Sequence, residues 1–264
     1  MSLFVETVGD SSKEPIVFLH GFTGSTKTWS HVMETLSDTH YCIAVDLTGH
    51  GQSPIEDDPN LYAMHIQIEQ LHDEITSRTN GRYTIVGYSM GGRIALAYAL
   101  RYGKEMRHLL LESASPGLRT EAERQERRER DEQLANRIER EGVEAFVRFW
   151  EEIPLFETQK RCSKEIRQAV RKERLNQSAV GLANSLRGIG TGAQPSYWDA
   201  LHTLTVPTTC IVGELDPKFV QIAKQMKKEA PDIQIRAVSE VGHAIHVEKE
   251  REFATIVKSE LNVN

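Results

Sequence analysis

Short apolar runs alternate along this chain with longer segments whose apolar positions recur at a helical period. The apolar runs are rich in β-branched and aromatic residues, which is typical of buried strands. They predict strands at residues 3–8, 16–20, 41–46, 83–88, 108–112, 208–212 and 233–238. Helical patterns occupy residues 29–36, 63–79, 90–102, 219–229 and 246–261. This alternation predicts an α/β fold with a mostly parallel central sheet and helices on both faces, the first strand lying at an edge.

The alternation stops between residues 118 and 203. Consecutive helical patterns fill this stretch at residues 120–140, 143–150, 164–176 and 179–187, with prolines and glycines at the breaks. A helical insertion between two parallel strands would lie over the strands' carboxyl ends, where ligands bind in such sheets. We therefore expect a core formed by residues 1–117 and 204–264, and a helical cap formed by residues 118–203.

Composition limits the kind of protein this is. The 264 residues are 39% hydrophobic and 27% charged, which suits a soluble globular chain of one large domain with an insertion. No apolar stretch approaches the roughly 20 residues that span a bilayer, so membrane insertion is not expected. The amino terminus does not resemble a signal peptide, and the three cysteines are far apart, so we expect a cytoplasmic protein. The net charge of −6 disfavours nucleic acid as a partner.

The segment 87–92, Gly-Tyr-Ser-Met-Gly-Gly, carries the clearest chemical signal. It fits Gly-x-Ser-x-Gly, and it lies between a predicted strand and a predicted helix. That context is what a nucleophile elbow requires, because the sharp turn exposes the serine hydroxyl. Ser89 is therefore the candidate reactive residue.

A reactive serine needs a base, and the base needs an orienting acid. His243 lies in the loop that follows the last predicted strand, which makes it the candidate base. His246 is the rival, although its position predicts the start of the last helix.

Asp216 follows the strand at 208–212 and is the candidate acid. Glu214 and Glu112 also stand near strand ends and remain alternatives. The order Ser89, Asp216, His243 is the chain order of the catalytic triad in the α/β-hydrolase fold.

Two backbone N–H groups are expected to form an oxyanion hole. One belongs to Met90, directly after the serine. The other is assigned to Phe22, in the glycine-bearing loop after the second predicted strand.

These motifs together resemble the α/β-hydrolase superfamily across nearly the whole chain. The matching pieces are His-Gly-Phe at 20–22, Asp-x-x-Gly-His-Gly-x-Ser at 46–53, Gly-x-Ser-x-Gly-Gly at 87–92 and Gly-His at 242–243. The superfamily includes esterases, lipases, peptidases and lyases, so the fold leaves the reaction open.

Arginines narrow the chemistry. Arg93 lies one turn into the helix after the serine, where a cation needs a partner, either a structural carboxylate or an anionic ligand. In the cap, Arg127 shares a helical stripe with Leu134 and Ile138, so it is expected to face inward when they do.

The same cap helix also allows a plainer interpretation. Its charges at i,i+4 spacing predict a solvated helix with ion pairs such as Glu123–Arg127 and Glu126–Arg130.

Within the superfamily, the chain resembles the 2-succinyl-6-hydroxy-2,4-cyclohexadiene-1-carboxylate synthases of menaquinone biosynthesis. The resemblance lies in Arg93 after the elbow, Arg127 with Arg-Asp at 130–131, and Phe-Trp at 149–150. It continues in Arg174, in Gly-x-Gly-Thr-Gly-x-Gln-Pro-Ser at 188–196, and in Gly-Glu-x-Asp-x-Lys-Phe at 213–219. The family usually has a proline soon after Glu248, where this chain has Glu250.

The resemblance implies a lyase that takes a small polycarboxylate substrate and no metal or organic cofactor. It implies that the triad abstracts a proton beside a succinyl ketone and that pyruvate leaves by 2,5-elimination. The implied substrate-binding residues are Tyr88, Arg93, Arg127, Trp150 and Arg174.

Two other functions remain open. A carboxylesterase would use the same triad to form an acyl-serine, but it gives inward-facing arginines no role. A non-catalytic hydrolase-like binding protein need not keep an intact triad.

Overall fold

The computed structural model describes residues 2–261 and is built on one seven-stranded sheet. The strands lie in the order β1-β3-β2-β4-β5-β6-β7, and every neighbouring pair is parallel except the antiparallel edge pair β1–β3. The strands are β1 Val5–Val8, β2 Pro15–Leu19, β3 Tyr41–Val45, β4 Tyr83–Tyr88, β5 Met106–Glu112, β6 Thr208–Gly213 and β7 Gln234–Val238. The predicted α/β fold, with its mostly parallel sheet, is confirmed.

Nine α-helices accompany these strands within residues 2–261. They are α1 Ser30–Leu36, α2 Met64–Thr76, α3 Met90–Tyr102, α4 Glu121–Trp150, α5 Lys164–Leu175, α6 Ala179–Ile189, α7 Pro217–Glu229, α8 Ile245–Glu248 and α9 Glu250–Leu261. Short 3-10 helices occupy Thr26–Trp29, Pro59–Tyr62, Gly103–Glu105, Pro154–Arg161 and Trp198–Thr203. The segment Pro154–Arg161 has three residues per turn, so a search for the 3.6-residue period does not detect it.

The sheet is covered on both faces because its central strands are apolar on both sides. Every residue of β2, β4 and β6 is buried. On β2, Val17 and Leu19 join the core formed with α2, α3 and α7, while Ile16 and Phe18 join the core formed with α1 and α9. Successive strand residues point to opposite faces, so one apolar run contributes to both cores.

The helices between β5 and β6 hold a third, smaller apolar cluster, which includes Ile138, Phe146 and Leu182. Helix α4 begins at a capping box in which Thr120 and Glu123 satisfy each other's backbone N–H groups. Gly142 breaks the helical geometry inside α4 with a φ of 80°, near the predicted boundary between two helices. The division of the chain into a core and a cap domain stays a prediction.

The last predicted helix, at residues 246–261, is interrupted in the structure. Lys249 has a non-helical backbone between α8 and α9. The backbone N–H of His246 donates to the Glu112 carboxylate at 3.1 Å, and the Glu248 side chain accepts from Gly242 at 3.0 Å. These contacts hold the short α8 against the end of the sheet.

Among residues 2–261, none of the helices combines the length and the apolar run needed to cross a membrane.

Candidate active site

Ser89 stands on a strained turn between β4 and α3. Its φ of 50° and ψ of −105° are unusual for a residue with a side chain, and they direct the turn sharply away from the strand. Glycines make the turn possible, because a Cβ on Gly91 would lie 2.3 Å from the carbonyl oxygen of Leu19. A Cβ on Gly87 would lie 2.7 Å from the carbonyl oxygen of Gly91. This geometry matches the predicted nucleophile elbow.

The structure brings Ser89, His243 and Asp216 together. The imidazole Nε2 of His243 lies 3.1 Å from Ser89 Oγ, and its Nδ1 lies 2.8 Å from Asp216 Oδ2. Asp216 and His243 are 7% and 1% exposed, so the pair is shielded from water. The other Asp216 oxygen accepts from the backbone N–H of Phe219 at 3.3 Å, which fixes the carboxylate at the start of α7. The hydroxyl, the base and the orienting acid therefore form a continuous chain of hydrogen bonds.

The rival residues lie elsewhere. Glu214 is exposed, and it does not contact His243 among the hydrogen bonds of residues 2–261. Glu112 is fully buried, and its Oε2 lies 2.8 Å from Nδ1 of His246. Glu112 and His246 thus form a second acid–histidine pair, beside the first but separate from it.

The loop that carries Phe22 packs directly against the serine turn. A Cβ on Gly21 would lie 2.6 Å from the Tyr88 ring and 3.6 Å from the Ser89 Cβ, so only glycine allows this approach. His20 braces the loop, because its Nδ1 donates to the carbonyl of Gly21 at 2.8 Å and its Nε2 accepts from Leu47 at 3.0 Å. Burial lowers the pKa of His20 to about 4, which keeps the ring in this neutral form.

Arg93 and Arg127 lie close together beside the site. Arg93 is 9% exposed and donates to the carbonyl of Ile189 at 2.8 Å and to Gln194. Burial first, and then repulsion by Arg127, lower the pKa of Arg93 to about 10. Arg93 makes no ion pair with a carboxylate among the described residues 2–261. Its guanidinium is therefore a buried cation whose hydrogen bonds go to neutral partners, while the nearby Asp131 carboxylate acts on it through space.

Arg127 is 37% exposed and pairs with Oδ1 of the buried Asp131 at 2.8 Å. The predicted Glu123–Arg127 pair is therefore wrong, because the Glu123 carboxylate is used in the cap with Thr120. The predicted Glu126–Arg130 pair is confirmed at the helix surface.

Arg174 is 6% exposed, a burial that the sequence pattern left open. Its guanidinium carbon lies 4.6 Å from the centre of the Phe156 ring, and Nη2 donates to Gln159 at 3.4 Å. Burial lowers its pKa, while the neighbouring Tyr88 acts in the opposite direction. Arg174, Tyr88 and Phe22 line a cavity of about 580 Å³ that borders the serine turn.

Aromatic rings surround Trp150 where the Phe22 loop meets the inserted helices. The ring of Trp150 lies 5.5 Å from that of Phe22, 5.3 Å from that of Phe146 and 5.9 Å from that of Phe156. Its buried Nε1 has no hydrogen-bond partner within residues 2–261. The structure thus packs Trp150 against the Phe22 ring and the apolar cluster of the insertion, outside the lining of this cavity, whereas the sequence allowed either core or pocket wall.

Three further polar residues border the arginines. Asp131 pairs with Arg127, Gln194 accepts from Arg93, and Lys218 lies near enough to Arg127 and Asp216 for both to affect its pKa. Burial is the main cause of the lowered pKa of Lys218. Asp131, Gln194 and Lys218 all fall inside the motifs that carry the family resemblance, which is the signal that could have identified them.

No group of three or more His, Cys, Asp or Glu side chains in the described part of the chain is arranged to hold a metal ion.

Comparisons of this chain with family models, known sequences and solved structures all indicate the same family. The model of the alpha/beta hydrolase fold family matches residues 14–250. A protein of Bacillus subtilis strain 168, provisionally named 2-succinyl-6-hydroxy-2,4-cyclohexadiene-1-carboxylate synthase, is 42% identical over 249 residues, which are 94% of this chain and 90% of that protein. The synthase of the same name from Photorhabdus laumondii is 30% identical over 100% of this chain and 91% of its own length. The solved structure of MenH from S. aureus is similar with a TM-score of 0.93 and 37% identity, covering 97% of each chain.

Proposed function

Because the chain belongs to the α/β-hydrolase fold family and, within it, to the 2-succinyl-6-hydroxy-2,4-cyclohexadiene-1-carboxylate synthases, we propose that it is the lyase of menaquinone biosynthesis that forms this product. Its substrate is 2-succinyl-5-enolpyruvyl-6-hydroxy-3-cyclohexene-1-carboxylate, and the leaving group is pyruvate. The reaction needs a base, a site for developing enolate charge and cations for several carboxylates.

Ser89 and His243 supply the base in this mechanism. His243 Nε2, 3.1 Å from Ser89 Oγ, takes the hydroxyl proton, and the serine oxygen removes the proton beside the succinyl ketone. Asp216, 2.8 Å from Nδ1, keeps the imidazole in the correct tautomer and stabilises its charged form. The C2–H electron pair is first held as an enolate of the succinyl ketone. As that enolate collapses, a double bond forms between C2 and C3, the ring double bond at C3 shifts to C4, and the bond from C5 to the enolpyruvyl oxygen breaks. The departing enolate is protonated to pyruvate.

The enolate formed at the ketone oxygen needs hydrogen-bond donors that are already in place. We assign them to the backbone N–H groups of Phe22 and Met90. The bracing of Gly21 by His20 supports this assignment, because it keeps the loop from moving as charge develops.

The single observation that favours the lyase over an esterase is the set of arginines beside the triad. Arg93 and Arg174 are buried cations without a carboxylate partner among residues 2–261, and Arg127 stands next to Arg93. A buried charge is costly unless it is compensated, and a guanidinium suits bidentate pairing with a carboxylate. We therefore assign Arg93, Arg127 and Arg174 to the carboxylates of the substrate, with Tyr88 and Trp150 as the apolar wall.

Two further assignments, of the cap segment and of the cellular location, complete the proposal. Residues 118–203 act as the cap that carries Arg127, Trp150 and Arg174 over the core. The protein works in the cytoplasm, an assignment supported by its free Cys42, Cys162 and Cys210 thiols.

The test is pyruvate release from freshly generated substrate, compared with a control without enzyme because the substrate also loses pyruvate spontaneously. A large acceleration that is lost in Ser89→Ala supports the lyase. An absence of acceleration, together with turnover of p-nitrophenyl acetate, would instead make the protein a carboxylesterase.

A further inference from the structure

The loop that carries His243 is held by a carboxylate that the proposed mechanism does not use. Oε2 of Glu248 accepts from the backbone N–H of Gly242 at 3.0 Å. Gly242 is buried and directly precedes His243, so this bond fixes the peptide that leads into the base. A buried N–H left without an acceptor is unfavourable, so the carboxylate also satisfies a group that has no strand partner.

The other oxygen of Glu248 reaches the inserted helices. Oε1 accepts from Thr158 Oγ1 at 2.8 Å, and Thr158 belongs to the 3-10 helix Pro154–Arg161. The segment rests closely on the loop, because a Cβ on Gly242 would lie only 2.2 Å from Thr158 Oγ1. One carboxylate therefore joins the His243 loop to the insertion.

The same 3-10 helix carries contacts to both the base and a proposed substrate-binding residue. The ring of Phe156 lies 6.3 Å from that of His243, and the Arg174 guanidinium lies over its face. Gln159, on the same segment, accepts a hydrogen bond from Arg174. This segment thus contacts Arg174 on one side and His243 on the other.

The acid loop supports His243 from the opposite side. The backbone N–H of Leu215 donates to the carbonyl of Val241 at 2.9 Å, and a Cβ on Gly213 would lie 2.1 Å from the carbonyl oxygen of Gly242. Backbone contacts therefore fix the His243 loop relative to Asp216, and Glu248 is the side chain that fixes it relative to the insertion.

We infer that Glu248 is a positioning residue that couples docking of the insertion, through Thr158, to the placement of His243. The inference rests on the proposed function only for the choice of substrate. Thr158 tests it directly, because Thr158→Val removes the bond to the insertion while it leaves the bond between Glu248 and Gly242 in place. Thr158→Ser keeps the hydroxyl and is the conservative partner of that variant.

Two kinetic readouts separate this role from a purely structural one. The first is kcat and KM for pyruvate elimination, and the second is the rate at which phenylmethylsulfonyl fluoride labels Ser89, which depends on the base but not on lyase chemistry. Thr158→Val and Glu248→Ala are expected to lower both kcat/KM and the labelling rate by about 10-fold, whereas Thr158→Ser stays within about 2-fold of wild type. Glu252→Ala, which removes an exposed acid paired with Lys249, is the matched control and should leave both rates unchanged.

A double-mutant cycle identifies the route of the effect. The double variant Thr158→Val, Glu248→Ala should be no slower than Glu248→Ala alone, because both changes break one bridge. Wild-type rates in both single variants would overturn the inference, as would a lower free energy of unfolding with unchanged rates per folded molecule. If wild-type protein does not accelerate pyruvate release while the labelling rates follow the expected order, the proposed function fails and the inference stands.

Discussion

Two buried histidines beside the loop that carries Phe22 should make the fold sensitive to acid. The rings of His20 and His50 lie 5.1 Å apart, and the two residues are 0% and 1% exposed. Burial lowers the pKa of His20 to about 4. For His50, burial first and then the neighbouring His20 lower the pKa to about 3. Both nitrogens of His20 are committed to the neutral ring, since Nδ1 donates to Gly21 and Nε2 accepts from Leu47.

The sign of the effect follows from where the protons bind. An unfolded histidine has a pKa near 6.5, so between about pH 6.5 and pH 4 the unfolded state binds more protons than the folded state. Stability is therefore retained above pH 7 and lost as the pH falls through that range. From pH 7 to pH 5, each histidine lowers the free energy of unfolding by about 2 kcal/mol, or about 4 kcal/mol for the pair.

The assay is urea unfolding at pH 7 and at pH 5. Because carboxylates also titrate in this range, the informative quantity is the difference between variants. His50→Asn keeps a donor toward the carbonyl of Thr48 and should recover about 2 kcal/mol of the loss. His202→Asn, at an exposed histidine, should lose as much as wild type. An equal loss in His50→Asn and wild type would refute the reasoning.

Three further changes test the site. Arg93→Ala should lower kcat/KM for pyruvate elimination by about 100-fold, near 3 kcal/mol in activation free energy, and an unchanged value would remove Arg93 from substrate binding. Asp216→Asn should lower kcat by about 10⁴-fold at neutral pH because His243 would hold the wrong tautomer; steady-state rates measure this, and a loss below about 10-fold contradicts the assigned acid. Gly91→Ala places a Cβ 2.3 Å from the carbonyl oxygen of Leu19 and should lower the free energy of unfolding by about 2 kcal/mol or more; an unchanged urea midpoint would show that the elbow can relax.

Much of the fold and part of the candidate site could be predicted from local sequence. The strand at residues 83–88 and the helix at 90–102 have the predicted bounds, because an apolar run and a helical period are written in neighbouring residues. Ser89, Asp216 and His243 each follow a strand of one parallel sheet. Since the carboxyl ends of such strands meet at one edge, the position of each residue after a strand was enough to predict that the three lie close together, although it left Glu112 and Glu214 open as the acid.

Only the tertiary structure decided which partners these groups have. Glu112 was a candidate for the acid, but it pairs with His246, a contact between residues 134 positions apart. The burial of Arg174 depends on the stacked ring of Phe156, and the partner of Arg127 is Asp131 because Glu123 caps the helix instead. Spacing along a helix limits the possible neighbours of a side chain. The choice among them depends on how elements distant in sequence pack, which the local pattern does not contain.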